Sequence, residues 1–112
     1  MIDPDSPSKT NAHCRYWLQW AVADIEGRSL RNGVNWQTTE GTMVKQYASP
    51  TPDQGSGPHR YQFILYQQRY PYGPVRLAEH NKQSRCGFNP LIFQRKNRLD
   101  IIATSVFETE YK

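Results

Sequence analysis

The hydrophobic pattern along the chain consists mainly of short alternating or continuous apolar runs, which predict strands. Tyr16–Ile25 carries apolar groups on both faces: Tyr16, Leu18, Trp20 and Val22 on one, Trp17, Ala21, Ala23 and Ile25 on the other, with Gln19 the odd residue. That is the pattern of a strand covered on both sides, and Gly27 ends it. Arg60–Gln67 is a second strand, the strongest such run. Ala103–Tyr111 alternates as a third. One short helix is predicted before it: Asn89 suits a cap, Pro90 suits a first turn, and Phe88, Leu91, Ile92, Arg95 and Leu99 follow helical spacing. The remainder reads as loop. Pro4 and Pro7 hold residues 1–12 extended, Gly and Pro punctuate residues 28–58, and a turn runs through Pro71, Gly73 and Pro74.

Composition narrows this. A chain of 112 residues fits one domain, and a hydrophobic content of 37% with a mean hydropathy of −0.83 predicts a thin core of marginal stability. Three Trp, seven Tyr and four Phe offset that in part, since each buries a large area. The net charge of +4 lies in separated clusters, Arg28 with Arg31, Lys82 with Arg85, and Arg95-Lys96 with Arg98. No dense basic run or nucleic-acid motif accompanies it, so specific nucleic-acid binding is not expected, only modest attraction to acidic surfaces. Two cysteines are too few for a zinc site or a disulfide framework, and a bridge between Cys14 and Cys86 or two free thiols are both open. No signal peptide, transit peptide or transmembrane run is expected, and the compartment, secreted or cytoplasmic, stays open.

Two motifs carry candidate chemistry: Asp3-Pro4-Asp5-Ser6-Pro7-Ser8 and Gly55-Ser56-Gly57-Pro58-His59-Arg60-Tyr61. Alternate residues of an extended segment share a face, so Asp3 with Asp5, and His59 with Tyr61, are expected to point together. Glycines before His59 permit a tight turn. A carboxylate, an imidazole and a phenol around one hollow suit an anion such as a phosphate monoester. Arg60, on the other face, is placed to pair bidentately with Asp5. The plainer alternative makes Asp3 and His59 polar residues that only stabilise their loops.

DPDSPS followed by a Trp-containing strand, then YASPTPDQGSGPHRYQFILYQQ, RCGFNPLIFQRKNRL and FETEY, in this order and at these intervals, resembles the phosphatidylethanolamine-binding (Raf kinase inhibitor) protein family from Ile2 onward. The resemblance implies a mainly β fold, an antiparallel β-sandwich with one short helix, present as a partial domain over residues 1–112 that lacks N-terminal strands and a C-terminal helix. It implies a pocket for a phosphorylated small molecule or a phospholipid head group, with Asp3 and Asp5 as the acidic loop, Trp17 as a wall, His59 and Tyr61 as anion contacts, and Pro50 and Pro52 shaping the loop above. It also implies a kinase or protease partner; no cofactor or metal is expected. Many relatives carry a second pocket histidine where this chain has Gln19, which can donate from its amide but cannot become cationic, so weaker phosphate binding is expected. Strands missing from such a sheet leave open edges, which predicts a homodimer or aggregation.

A binding module is therefore the leading expectation, without enzymatic activity. One alternative is an esterase-type hydrolase with His59 as base and Asp3 as its orienter, although Ser56 sits in a Gly-Ser-Gly turn without the flanking pattern of a nucleophile elbow. The other is a scaffold domain that binds no small ligand.

Overall fold

The alternation over Arg60–Gln67 is realised in the longest antiparallel strand pair among the described residues. The computed structural model describes residues 1–33, 40–69 and 74–111; the predicted turn residues Pro71 and Gly73 lie outside these. Strand β5, His59–Gln68, pairs antiparallel with β6, Leu99–Thr109, from His59↔Thr109 to Gln68↔Leu99, with a bulge at Leu65/Tyr66. On its other side β5 meets β1, Ile2–Asp3, at Ile2↔Gln62. Strand β1 then pairs with β2, Trp17–Leu18, giving a four-stranded sheet of order β2-β1-β5-β6. A second sheet consists of β3, Ala21–Ala23, against β4, Thr42–Lys45.

The predicted single strand Tyr16–Ile25 is thus two short strands in two sheets. It breaks at Gln19 and Trp20, whose N–H groups both donate to the Met1 carbonyl, at 2.9 and 3.2 Å, rather than to successive rungs of one ladder. Gln19 marks the break in the sequence: its buried amide donates to the carbonyls of Ala48 and Ser49, holding a loop where an apolar residue would continue the strand. Residues 28–58 are largely irregular as expected, but a 3-10 helix, Gly27–Asn32, and β4 lie at the start and within them.

The helical expectation is half right. Asn89 caps α2, Pro90–Lys96, its Oδ1 accepting from the N–H groups of Leu91 and Ile92 at 3.1 Å, with Pro90 in the first turn. The inward residue is Phe93, however, while Leu91 and Ile92 are 52% and 46% exposed. Leu99 is not helical. Asn97 Nδ2 donates back to the Phe93 carbonyl, Arg98 takes a left-handed φ of 53°, and β6 opens at Leu99, earlier than the predicted Ala103. An unforeseen second helix, α1, spans Glu79–Gln83, with buried Asn81 donating to the carbonyls of Ser84 and Cys86.

Ile2, Leu18 and Phe88 form the buried cluster, flanked by Tyr16, Ile64, Leu77 and Phe93. At about 1.5–3 kcal/mol for each fully buried large side chain, three such residues make a modest driving force. A disulfide joins Cys14 to Cys86, answering the question the sequence left open. It sits where main-chain bonds already link the two segments, Gly87 N to Cys14 O and Phe88 N to Tyr16 O. Closing 72 residues of chain in this way contributes about 4 kcal/mol in the chain-entropy account.

Candidate functional site

Strand parity on β5 sends His59 and Tyr61 to one face and Arg60 to the other. The His59 and Tyr61 rings lie 6.2 Å apart at 15°, as the spacing predicts. The chain enters β5 through a turn in which Gly55 and Gly57 take φ of 77° and 79°, values that favour glycine. That turn puts Ser56 back over the strand: its Oγ donates to the Asp53 carbonyl at 2.7 Å and lies 3.0 Å from His59 Nε2.

The other ring nitrogen of His59, Nδ1, is 2.7 Å from Asp3 Oδ2. Asp3 and His59 are each only 3% exposed, so two loops 56 residues apart in sequence meet in a buried carboxylate–imidazole pair. Asp3 is fixed from behind, its Oδ1 accepting from the Asp5 N–H at 2.7 Å. Tyr61 is buried beside them, and burial, the Asp3 charge and a hydrogen bond to Asp3 raise its pKa, so the phenol stays a donor. Because the single Ser56 proton goes to Asp53, Ser56 meets Nε2 as an acceptor and Nε2 donates.

Asp5 does not share this hollow, contrary to the parity expectation. Pro4 and Asp5 form a turn rather than continuing the strand, and the Asp5 side chain swings to the opposite face. There it takes the Arg60 guanidinium bidentately, Nε at 3.0 Å and Nη2 at 2.8 Å, with the Arg60 N–H adding a third bond at 2.8 Å. This is the pairing foreseen from the sequence. Burial acts to raise the Asp5 pKa, but the hydrogen bonds and charge of Arg60, with Lys9 adding to them, bring it below the usual carboxylate value. The pair locks the Asp3 loop onto β5 at the position next to His59.

The remaining expected site residues sit around this centre. Trp17, half-buried, is the register partner of Asp3 across β1 and β2. Gln19 spends its amide donors on Ala48 and Ser49 and so anchors the loop leading to Pro50 and Pro52, both half-buried. The structure therefore unites Asp3, His59 and Tyr61, assigns Asp5 to Arg60, and gives Gln19 a loop-holding task. Sequence reasoning weighed Ser56 only as a nucleophile and missed its contact with His59; the signal was a hydroxyl three residues before the histidine, between two glycines. A cavity of about 460 Å³ lies elsewhere, walled by residues such as Trp20, Ile64, Phe88 and Phe93, and not by Asp3, His59 or Tyr61. Ligating atoms of His13, Cys14 and Cys86 come within 4.8 Å of one another, but the two sulfurs are bonded to each other and present no thiolate.

The chain is 25% identical over 114 residues to a Drosophila melanogaster protein named odorant-binding protein A5, covering 99% of this chain and 50% of that protein. Among solved structures it resembles the phosphatidylethanolamine-binding protein from Plasmodium vivax, with a TM-score of 0.72 at 26% identity over 99% of this chain and 61% of that one. The carboxypeptidase Y inhibitor, solved in complex with its cognate proteinase, shares the fold with a TM-score of 0.65 at 22% identity, over 99% of this chain and 57% of the matched chain. The chain thus spans about half to three-fifths of the length of these relatives. The family profile described as phosphatidylethanolamine-binding protein matches residues 1–103, which contain the Asp3 loop, Trp17 and the His59–Tyr61 strand, and the chain belongs to that family.

Proposed function

We propose that the protein is a binding module for phosphorylated small molecules or phospholipid head groups, with His59 as the principal anion contact. The observation that carries this is the buried Asp3–His59 pair with a donor nitrogen directed at Ser56. A monoanionic or dianionic phosphate oxygen replaces the weak Ser56 acceptor at Nε2, and its charge strengthens that hydrogen bond. Asp3 holds the ring correctly turned, Tyr61 stays a neutral donor, and Trp17 lines the side where β2 meets β1. A kinase or protease partner is a second tier of this reading, dependent on the first.

The same three residues raise the hydrolase alternative, because Ser56, His59 and Asp3 are in line at 3.0 and 2.7 Å. A nucleophilic serine must give its proton to the imidazole. Here the Ser56 proton is directed at the Asp53 carbonyl, which favours binding over acyl transfer.

Titration with inorganic phosphate and phosphoethanolamine, followed by tryptophan fluorescence and calorimetry, tests the proposal. Saturable binding at millimolar or lower ligand is expected, weakened about tenfold or more by His59→Ala, the loss expected of a charge-assisted hydrogen bond. Absence of saturable binding by the folded protein sinks it. Ester turnover abolished by Ser56→Ala would establish the hydrolase instead.

A further inference from the structure

Residues 12–15 form a turn, closed by the Arg15 N–H donating to the Ala12 carbonyl at 3.1 Å, with His13 and Cys14 at its centre. The turn keeps the His13 ring beside its neighbour, Nδ1 lying 3.7 Å from Cys14 Sγ. Among the described residues this is the one polar contact of that ring. Cys86 arrives from 72 residues further along, and the ligating atoms of His13, Cys14 and Cys86 then all lie within 4.8 Å of one another.

The sulfur–sulfur bond is not alone in bringing this group together. The Cys14 N–H donates to the Ser6 carbonyl at 3.1 Å, and the Cys14 carbonyl accepts from the Gly87 N–H at 3.2 Å. Beyond them Tyr16 and Phe88 exchange two main-chain bonds, at 3.1 and 2.8 Å. The Cys86 N–H donates to Ser84 Oγ, and its carbonyl accepts from the buried Asn81 amide, both at 3.2 Å. Cleaving the bridge therefore leaves two thiols and an imidazole around one point. Donor atoms that share a zinc ion at about 2.0–2.3 Å stand roughly 3.5–4 Å apart, inside the span of this group. Soft sulfur with imidazole nitrogen suits zinc, whose tetrahedral preference accepts three protein ligands and a water.

We infer that the chain has two alternative states here: the Cys14–Cys86 disulfide, and a reduced form in which His13, Cys14 and Cys86 bind one Zn2+. A dithiol reductant supplies the two electrons. One of its thiolates attacks a bridge sulfur, the bond between Cys14 and Cys86 breaks, and its second thiol closes the reductant's own disulfide, leaving both cysteines as thiols. Zinc then displaces their two protons to solvent. The cysteine count hid this site because its third ligand is the histidine next to Cys14. The group shares no side chain with the Asp3–His59 pair, so either reading can fail without the other.

The test titrates Co2+, a spectroscopic stand-in for Zn2+, into the full chain reduced with a phosphine, and follows thiolate-to-cobalt charge transfer and tetrahedral d–d bands. The expected result is one metal per chain, with bands that Zn2+ erases and that the oxidised protein lacks. His13→Ala should weaken binding by more than about tenfold, since loss of a supporting group alone costs that much. His80→Ala, which removes the imidazole facing the Gly87 carbonyl, should leave the bands unchanged. A reduced chain without the charge-transfer band, one metal shared by two chains, or a loss with His80→Ala in place of His13→Ala would overturn the assignment. Should reduction unfold the chain, circular dichroism decides: recovery of the oxidised spectrum on adding Zn2+ supports the site, and an unfolded spectrum that persists overturns it.

Discussion

At the scale of single residues, two carboxylates separated by one proline do different work. Asp3 serves the imidazole, and Asp5 clamps Arg60. Removing Asp5 leaves the Arg60 main-chain N–H and guanidinium without their partner, so Asp5→Ala should cost about 2–4 kcal/mol, read by chemical denaturation. The pH dependence follows with its sign. The Asp5 pKa is lower in the folded protein than in the unfolded chain, so its stabilisation is fully present above about pH 4 and is lost as pH falls through the folded value. An acid-unfolding midpoint that moves upward in Asp5→Asn is the expected outcome, and an unchanged profile would contradict it. Gln19, expected among the pocket residues, donates its amide to the Ala48 and Ser49 carbonyls and so holds their loop.

At the scale of elements, what was legible was whatever depended on local order. The β5 alternation, the Asn89-Pro90 cap and the glycine turn before His59 all formed where the sequence put them. What failed depended on tertiary partners. The Tyr16–Ile25 run is apolar on both faces apart from Gln19 and Asp24, and it breaks where the Met1 carbonyl and the Ala48–Ser49 loop, both reached from outside the run, take its hydrogen bonds. Leu99 keeps helical spacing with Arg95, but Arg98 turns left-handed and pairing with Gln68 claims Leu99 for β6. The Cys14–Cys86 bridge was equally illegible, since 72 residues of separation say nothing about proximity. With three residues in the buried cluster among the described residues, that bridge should matter greatly. Reduction is expected to lower Tm by 10 °C or more, the size expected when about 4 kcal/mol is lost from a domain of this length, and an unchanged Tm in reductant would contradict the account.

At the scale of the whole molecule, the chain carries much apolar surface for so small a core. Ile101, Ile102 and Val106, each more than half exposed, lie on β6, at the edge of the four-stranded sheet. Such an edge invites pairing with another chain, so sedimentation should show association that grows with concentration, whereas a monomer with a concentration-independent thermal transition would count against it. The anion proposal rests on the Asp3–His59 pair, where the Asp3 loop meets β5, inside the stretch that the family profile matches. The most direct measurement is a crystal structure grown with phosphoethanolamine. The account predicts a phosphate oxygen within hydrogen-bonding distance of His59 Nε2, with the Ser56 hydroxyl displaced from it; a ring still closed by Ser56, and the ligand bound elsewhere or not at all, would contradict it.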